Sequence, residues 1–262
     1  RSRGLGDVYK RQAYFYQLND KIEFDTIFSD LLKRRFLDLR KTDAAGLRDF
    51  CAGTEAIFCK PAGLCGGEGI QRLATADIGD YDALYDRLVK GGQLLIEEPI
   101  RQHPDMNKLC PDSVNTVRIV TLVTAQGAQM VYALVRMGMG GVCVDNVSSG
   151  GMYAPVNEHG QLYRPAFCDK TGKYYDRHPV TGTEITGFQI PLFDQALELC
   201  RTASRRVEAH LKYIGWDVAI TPDGPVLVEG NNLPGYDMCQ NAGHVDEGML
   251  PRFEKLLGRP IM

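Results

Sequence analysis

The chain has no CxxC pair, a single tryptophan, no excess of basic residues and no long uninterrupted apolar run. Each shortage removes a class of protein. Thirty Lys and Arg against 33 Asp and Glu leave a formal charge of −3, so nothing pulls nucleic acid and no polybasic segment marks a membrane surface. Charge or glycine breaks every apolar stretch well short of the ~18 residues a spanning helix needs. The eight cysteines, at 51, 59, 65, 110, 143, 168, 200 and 239, are scattered and mostly lie in apolar stretches. That excludes a small disulfide scaffold and reads as reduced thiols in a cytoplasmic protein, with zinc not expected. Neither Gx4GK[ST] nor a GxGxxG after a strand occurs, so the P-loop and Rossmann fingerprints do not apply. Internal repeats and low-complexity tracts are missing too. What remains, 262 residues of 44% hydrophobic and 24% charged composition, is an ordinary globular chain, long enough for two lobes around a cleft.

Residues 1–12 do not match the rest of the chain. Asp7-Val8-Tyr9-Lys10-Arg11-Gln12 looks like a translated end sequence left by sequencing-library preparation, the alternative being an ordinary amphipathic leader, and the segment is set aside as non-native. On that reading the chain is a fragment, and a preceding domain is expected to be absent. From Asp20 to about Asp49, Phe24, Ile27, Phe28, Leu31 and Leu32 recur at spacings of three and four, which predicts helix. Residues 56–60 read as a buried strand ended by Pro61. A glycine loop (63–69) comes next, then a strand to Leu73 and a helix over 80–90 stopped by Gly91-Gly92. The strand 93–98 ends at Pro99. Beyond Pro111, 117–123 and 130–137 predict a hairpin turning at Ala125-Gln126-Gly127. Residues 192–211 predict a helix with one buried stripe. The predicted organisation is a helical segment 13–55, a small lobe 56–100 and a large lobe 101–262, in an α+β protein.

The stretch from Trp216 to Asn231 carries the most chemistry. Two apolar runs flank Pro222-Asp223-Gly224, a turn signal. A three-residue loop would oppose Thr221 to Pro225, and the same register opposes Asp217 to Glu229. Facing β-carbons lie ~5 Å apart, with Asn231 on the same face two residues on. Two like charges so placed destabilise a hairpin unless a cation sits between them. An all-oxygen set of Asp217, Glu229 and Asn231 suits magnesium. Otherwise the acids belong to a solvated hairpin end, or a one-residue slip separates them. Lys60 ends a strand just before Gly66, Gly67 and Gly69. A lysine there either pairs with phosphate, with the glycine amides close to the anion, or snorkels to water. Glu97-Glu98 ends the next strand, to line an adenosine pocket or stand in solvent.

Taken in order, Lys21, Lys60 with its glycine loop, Glu97-Glu98, Arg118, Asp217 and Glu229-Gly230-Asn231 resemble the ATP-grasp superfamily. More closely, the chain resembles the sugar-transfer-associated ATP-grasp family. That likeness rests on Glu97–Pro104, Ser113–Arg118, Asp145-Asn146 with Gly150-Gly151, His178–Gly182 and Gly215-Trp216-Asp217. The resemblance implies an ATP-grasp fold with ATP in the cleft between two α+β lobes. It implies that Lys21 and Lys60 contact phosphates under the glycine loop, and that Glu97, Glu98 and Ile100 hold adenine and ribose. Arg118 would reach the transferring phosphoryl group, and Asp217, Glu229 and Asn231 would ligate Mg2+. Asn146 with Gly150-Gly151 would border the acceptor. Asn115 either orients substrate or caps a strand end; His178 is either a general base or a structural histidine. Asp105 or His103 is left for the ribose. The implied activity is ATP- and Mg2+-dependent ligation of a small-molecule carboxylate to an amine or hydroxyl, in surface polysaccharide or sugar-conjugate biosynthesis beside glycosyltransferases. A sugar-hydroxyl kinase and a catalytically silent nucleotide-binding scaffold are the alternatives.

Overall fold

Asp20 caps helix α1 (Lys21–Ile27), its carboxylate accepting the N–H groups of Ile22 (2.9 Å) and Glu23 (3.2 Å). The computed structural model describes residues 12–63, 68–140, 150–207, 209–235, 237–243 and 248–260. Contacts divide the chain into a unit Tyr16–Ile100 and a unit Arg101–Met262, the latter joined by the short segment ending at Phe15.

In the first unit the helix predicted over 20–49 is broken. After the short turn Ser29–Leu32, Lys33 adopts a left-handed φ of +49°. The chain then forms strand β1 (Phe36–Asp38), and helix resumes only at α2 (Ala44–Cys51) under an Asp43 cap. A three-residue strand is shorter than two helical turns, so helical periodicity reads through it. Strands β2 (Ala56–Lys60), β3 (Gln71–Ala74) and β4 (Leu95–Glu97) complete an antiparallel sheet in the order β1-β4-β2-β3. Helix α3 (Tyr81–Lys90) begins under the carboxylate of Asp80, and Gly92 turns the chain away at φ +71°. Leu39, Leu47, Ile57, Cys59, Leu88 and Ile96 form a core against this sheet. Each such side chain contributes ~1.5–3 kcal/mol by leaving water.

The second unit is built on β5 (Thr116–Thr124), β6 (Gly127–Met137), β7 (Met152–Val156), β8 (Ala166–Cys168), β9 (Lys173–Tyr175), β10 (Tyr213–Thr221) and β11 (Gly224–Asn231). They form an antiparallel sheet in the order β11-β10-β5-β6-β7-β8-β9. The predicted β5–β6 hairpin is present, with Gly127 at φ +90°. Helix α4 (Phe193–Val207) buries Ala196, Cys200, Ala203 and Ser204. Trp216 is fully buried, and its indole N–H reaches Thr121 Oγ1 (3.0 Å) and Ser204 Oγ (3.2 Å). Strand side chains alternate faces, so Asp217 points to the opposite face from Trp216. On that opposite face Val120, Tyr132 and Leu134 cluster with Cys239 and Met249. Among the described residues no helix is long and apolar enough to cross a membrane. The six described cysteines are buried and form no disulfide among the described residues.

Candidate functional site

The β10–β11 hairpin delivers Asp217 opposite Glu229, but by a different route from the one predicted. Thr221 pairs with Gly224, not Pro225, so the loop is one residue tighter. Val228 is then a bulge: Val218 faces Leu227, Asp217 faces Glu229 and Gly215 faces Asn231. The bulge restores the residue that the tighter turn removed, and it keeps both acids in one register pair.

Strand β10 is central, so Asp217 also has a neighbour on its other side, Arg118 of β5. Asp217 is 1% exposed and its two oxygens are held by guanidinium groups. Arg118 donates from Nε to Oδ1 and from Nη2 to Oδ2 (2.8 Å), and Arg136 of β6 donates from Nη1 to Oδ2 (2.8 Å). Burial alone would raise this carboxyl, but the two arginines hold it down at about 2. Glu229 is the other half of the pair and behaves oppositely. Desolvation, and then the charge of Asp217, raise its carboxyl above the usual range, and Arg118 offsets this only in part at 3.9 Å. Its side chain keeps 35% of its surface exposed. Asn231 lies beside it, Nδ2 at 3.4 Å from Glu229 Oε1. Gly215 makes the geometry possible: a Cβ there would meet Pro234 at 2.7 Å and the Arg118 stem at 3.1 Å. Arg118 therefore supplies part of the positive charge that the facing acids require.

The small unit holds a second buried set of charges. Lys60, at the end of β2, pairs with Glu97 at the end of β4. Arg34 also donates to Glu97, through Nε (2.8 Å) and Nη2, and its Nη2 lies 3.9 Å from Asp25 Oδ1. Glu97 and Asp25 are each 2% exposed. Burial would raise both acids, yet Arg34 and Lys60 hold Glu97 low, whereas burial and then Glu97 push Asp25 up.

The remaining candidates are dispersed around these sets. Lys21 opens α1, and its N–H donates to Ala62 O (2.9 Å) beyond β2. Glu98 is paired with Arg35 Nε (2.6 Å), and Ile100 is half-buried. Gly69 has φ +73° and its carbonyl accepts from Gln93 (2.7 Å). Gly66, Gly67, Asp145 and Asn146 lie outside the described residues. Asn115 is fully buried, and its amide nitrogen donates to Gln102 Oε1 (3.0 Å), Met106 O (3.0 Å) and Cys110 O (2.8 Å). The amide nitrogen thereby staples its own loop, while Oδ1 is buried with no hydrogen-bond partner among the described residues. His178 is structural as well: Nε2 pairs with Gly138 O (2.8 Å), Nδ1 faces the N–H groups of Val180 and Thr181, and burial lowers its basicity. Asp105 pairs with Lys108 (2.6 Å), and His103 caps the turn beginning at Pro104.

Arg136, Arg34 and Asp25 had not been singled out from sequence. For two of them a signal existed. Arg136 is the single charge in the apolar run Val131–Met137, and Asp25 sits at helical spacing between Ile22 and Phe28. A charge on a buried stripe requires a partner. Arg34 has no such mark, because it falls among other basic residues at 33–35.

The chain belongs to the sugar-transfer associated ATP-grasp family, whose model matches residues 5–256. Among curated proteins none matches it. Solved structures similar to it include ATP-grasp ligase PsnB complexed with minimal precursor, Mg and ADP, at 16% identity and a TM-score of 0.47 over 96% of this chain and 56% of that one. D-alanyl-alanine synthetase A from Vibrio cholerae is similar at 13% identity and a TM-score of 0.48, over 94% of this chain and 62% of that one. D-cycloserine synthetase DcsG is similar at 12% identity and a TM-score of 0.47, over 82% and 62%. The chain thus spans between 56% and 62% of the lengths of these three proteins.

Proposed function

We propose that this protein uses ATP and magnesium to activate a small-molecule carboxylate as an acyl phosphate, which an amine or hydroxyl then attacks. Membership of the ATP-grasp family supports the class of reaction. The observation that carries the site is the divided state of the facing acids: Asp217 is held by two arginines, whereas Glu229 is raised by desolvation and by Asp217 and keeps part of its side chain exposed. A carboxyl raised by a like charge is stabilised when a cation arrives.

The donor set fits magnesium with one adjustment. Glu229 offers carboxylate oxygens, and Asn231 offers an amide oxygen once its side chain is turned over, both on one face of β11. Asp217 joins them only by releasing a guanidinium. Bound there, magnesium supplies neutralisation of phosphate charge. Arg118, next to Glu229, stabilises negative charge developing on the transferring group, while Arg136 keeps Asp217 satisfied when Arg118 turns toward the phosphoryl group. In the other unit Lys60 pairs with phosphate as a point charge, Lys21 joins it, and Glu97 with Glu98 and Ile100 holds adenine and ribose. The carboxylate substrate attacks the γ-phosphate, giving acyl phosphate and ADP, and the nucleophile displaces phosphate. Alignment and charge neutralisation are the main demands of such chemistry. The family's association with sugar transfer supports a sugar acid, or an amino acid joined to a sugar, as reactant in surface polysaccharide or sugar-conjugate synthesis, in the cytoplasm and beside glycosyltransferases.

Incubation with ATP, magnesium and a panel of sugar acids, amino acids and amines, followed by mass spectrometry, tests the proposal. The expected result is ADP and phosphate formed only when both an acid and a nucleophile are present, with a condensed product. A stable phosphorylated sugar would replace the ligase with a kinase. ATP bound but never consumed would leave a nucleotide-binding scaffold.

A further inference from the structure

The Asp25–Arg34–Lys60–Glu97 set contains two cations and two acids, but they are not equally placed. Arg34, Asp25 and Glu97 have side chains only 5%, 2% and 2% exposed, whereas Lys60 is 15% exposed and forms the rim. Glu97 accepts from both cations. Asp25 receives only the more distant Arg34 contact at 3.9 Å, and its Oδ2 is buried with no donor among the described residues. The charged groups facing Asp25 are Glu97 from β4, Lys60 from β2 and Arg34 from the turn before β1. A buried carboxyl beside an ionised one, with no donor for its second oxygen, is stable with a proton on that oxygen, where it can donate to its neighbour.

We infer that Asp25 is a positioning residue that carries a proton against Glu97, and that phosphate binding at Lys60 draws a further fraction of a proton onto it. The inference rests on the reading of Lys60 as a phosphate-binding lysine. With Asp25 neutral, two cations face one carboxylate, and the unbalanced positive charge resides at the rim, on Lys60. An ionised Asp25 would cancel that charge and weaken the pull on an anion. A phosphate paired with Lys60 cancels its influence on Asp25 in turn, so the proton on Oδ2 is held more tightly. The proton comes from solvent and no bond other than O–H changes. In agreement with this geometry, burial and then the neighbouring Glu97 push Asp25 up to about 8, so the acid is partly ionised near that pH and has room to take a proton up.

The test is calorimetric titration of the protein with ATP and magnesium at pH 8, in two buffers of different ionisation enthalpy. ATP carries its full charge there, its last phosphate ionisation lying near pH 6 (about the value for a phosphomonoester). Wild type is expected to take up about 0.3–0.5 proton per ATP bound, and Asp25→Asn, whose amide carries a permanent donor, less than about 0.1. Binding with no uptake in wild type, or equal uptake in Asp25→Asn, overturns the inference and leaves the nucleotide site standing. Failure of ATP to bind at all removes the Lys60 reading and the inference with it. Should Asp25→Asn not fold, the wild-type affinity itself decides: it is expected to fall several-fold from pH 7 to pH 9, and a flat profile overturns the inference.

Discussion

The two units each hold a quartet of two acids and two bases, and the quartets solve the same problem differently. In both, one acid is held ionised by the bases (Glu97, Asp217) and its acidic neighbour is pushed up (Asp25, Glu229). In the large unit both bases are arginines, and the strained acid retains 35% exposure. In the small unit one base is a lysine at the rim, and the strained acid is 2% exposed. A strained acid that reaches solvent can be relieved by a cation; one sealed inside can be relieved only by a proton. A planar, bidentate arginine holds its partner in place, whereas a lysine is a point charge on a flexible stem and leaves more readily. The pairing of a fixed grip with an open acid suits a metal centre, and a movable cation with a sealed acid suits capture of an anion.

Four experiments break or sharpen this contrast. The largest expected effect is that of Asp217→Asn, which takes from two buried guanidiniums the carboxylate that holds them, leaving Glu229 at 3.9 Å from Arg118 as the remaining acid, and costs ~3–5 kcal/mol in urea unfolding. A loss below ~1 kcal/mol would mean the arginine grip is not what holds β5, β6 and β10 together. Glu229→Gln comes next. It is expected to lower ATP turnover by ~10²-fold or more while shifting the unfolding free energy by less than ~1 kcal/mol, since it removes a strained charge and not a satisfied one. Comparable stability losses in the two variants would erase the distinction between the acids.

Asp25→Asn tests the sealed acid through pH. Its folded proton affinity is raised, to about 8, over the ordinary ~3.9 of the unfolded chain. Between those values the folded state holds a proton that the unfolded state has lost, so the contribution of Asp25 to stability is fully present below about pH 4 and is lost as pH rises toward 8. Urea midpoints at pH 5 and pH 8 should show wild type losing ~1–3 kcal/mol relative to Asp25→Asn. A parallel pH response in the two proteins would place the proton elsewhere. The smallest effect, with the opposite sign, is expected at His178, a buried neutral base without an acidic partner. Burial lowers it from 6.5, so the unfolded chain gains a proton first as pH falls, and stability drops below about pH 6.5. The stability advantage of wild type over His178→Gln should shrink by ~0.5–1 kcal/mol from pH 7.5 to pH 5.5, measured by thermal or urea unfolding.

Much of this was legible in the chain. The strand at 56–60, the Asp80-capped helix, the β5–β6 hairpin and the Glu97-Glu98 strand end stand where apolar runs, caps and glycines put them. The facing of Asp217 and Glu229 was legible too, although the turn deduced for it was one residue too long. The bulge at Val228 compensates, and no local signal announces a bulge that has no glycine. The helix drawn through 20–49 failed at β1, since three residues pairing with Glu97, Ile96 and Leu95 carry no periodicity of their own. Asn115 read equally as a substrate ligand or a strand-end cap, because a polar residue at a strand start carries no mark of its partners; only folding brings three carbonyl-type acceptors around its amide nitrogen.

Local pattern decided the elements, the overall class and which residues carry charge, because capping, turn chemistry and side-chain alternation act over a few neighbouring positions. The partners of those charges were decided by folding. Arg34 meets Glu97 across 63 positions, Arg136 meets Asp217 across 81 and Arg118 meets Asp217 across 99. The energy of a buried carboxyl depends on who faces it within a few ångströms, and strand order, not chain order, chooses that neighbour.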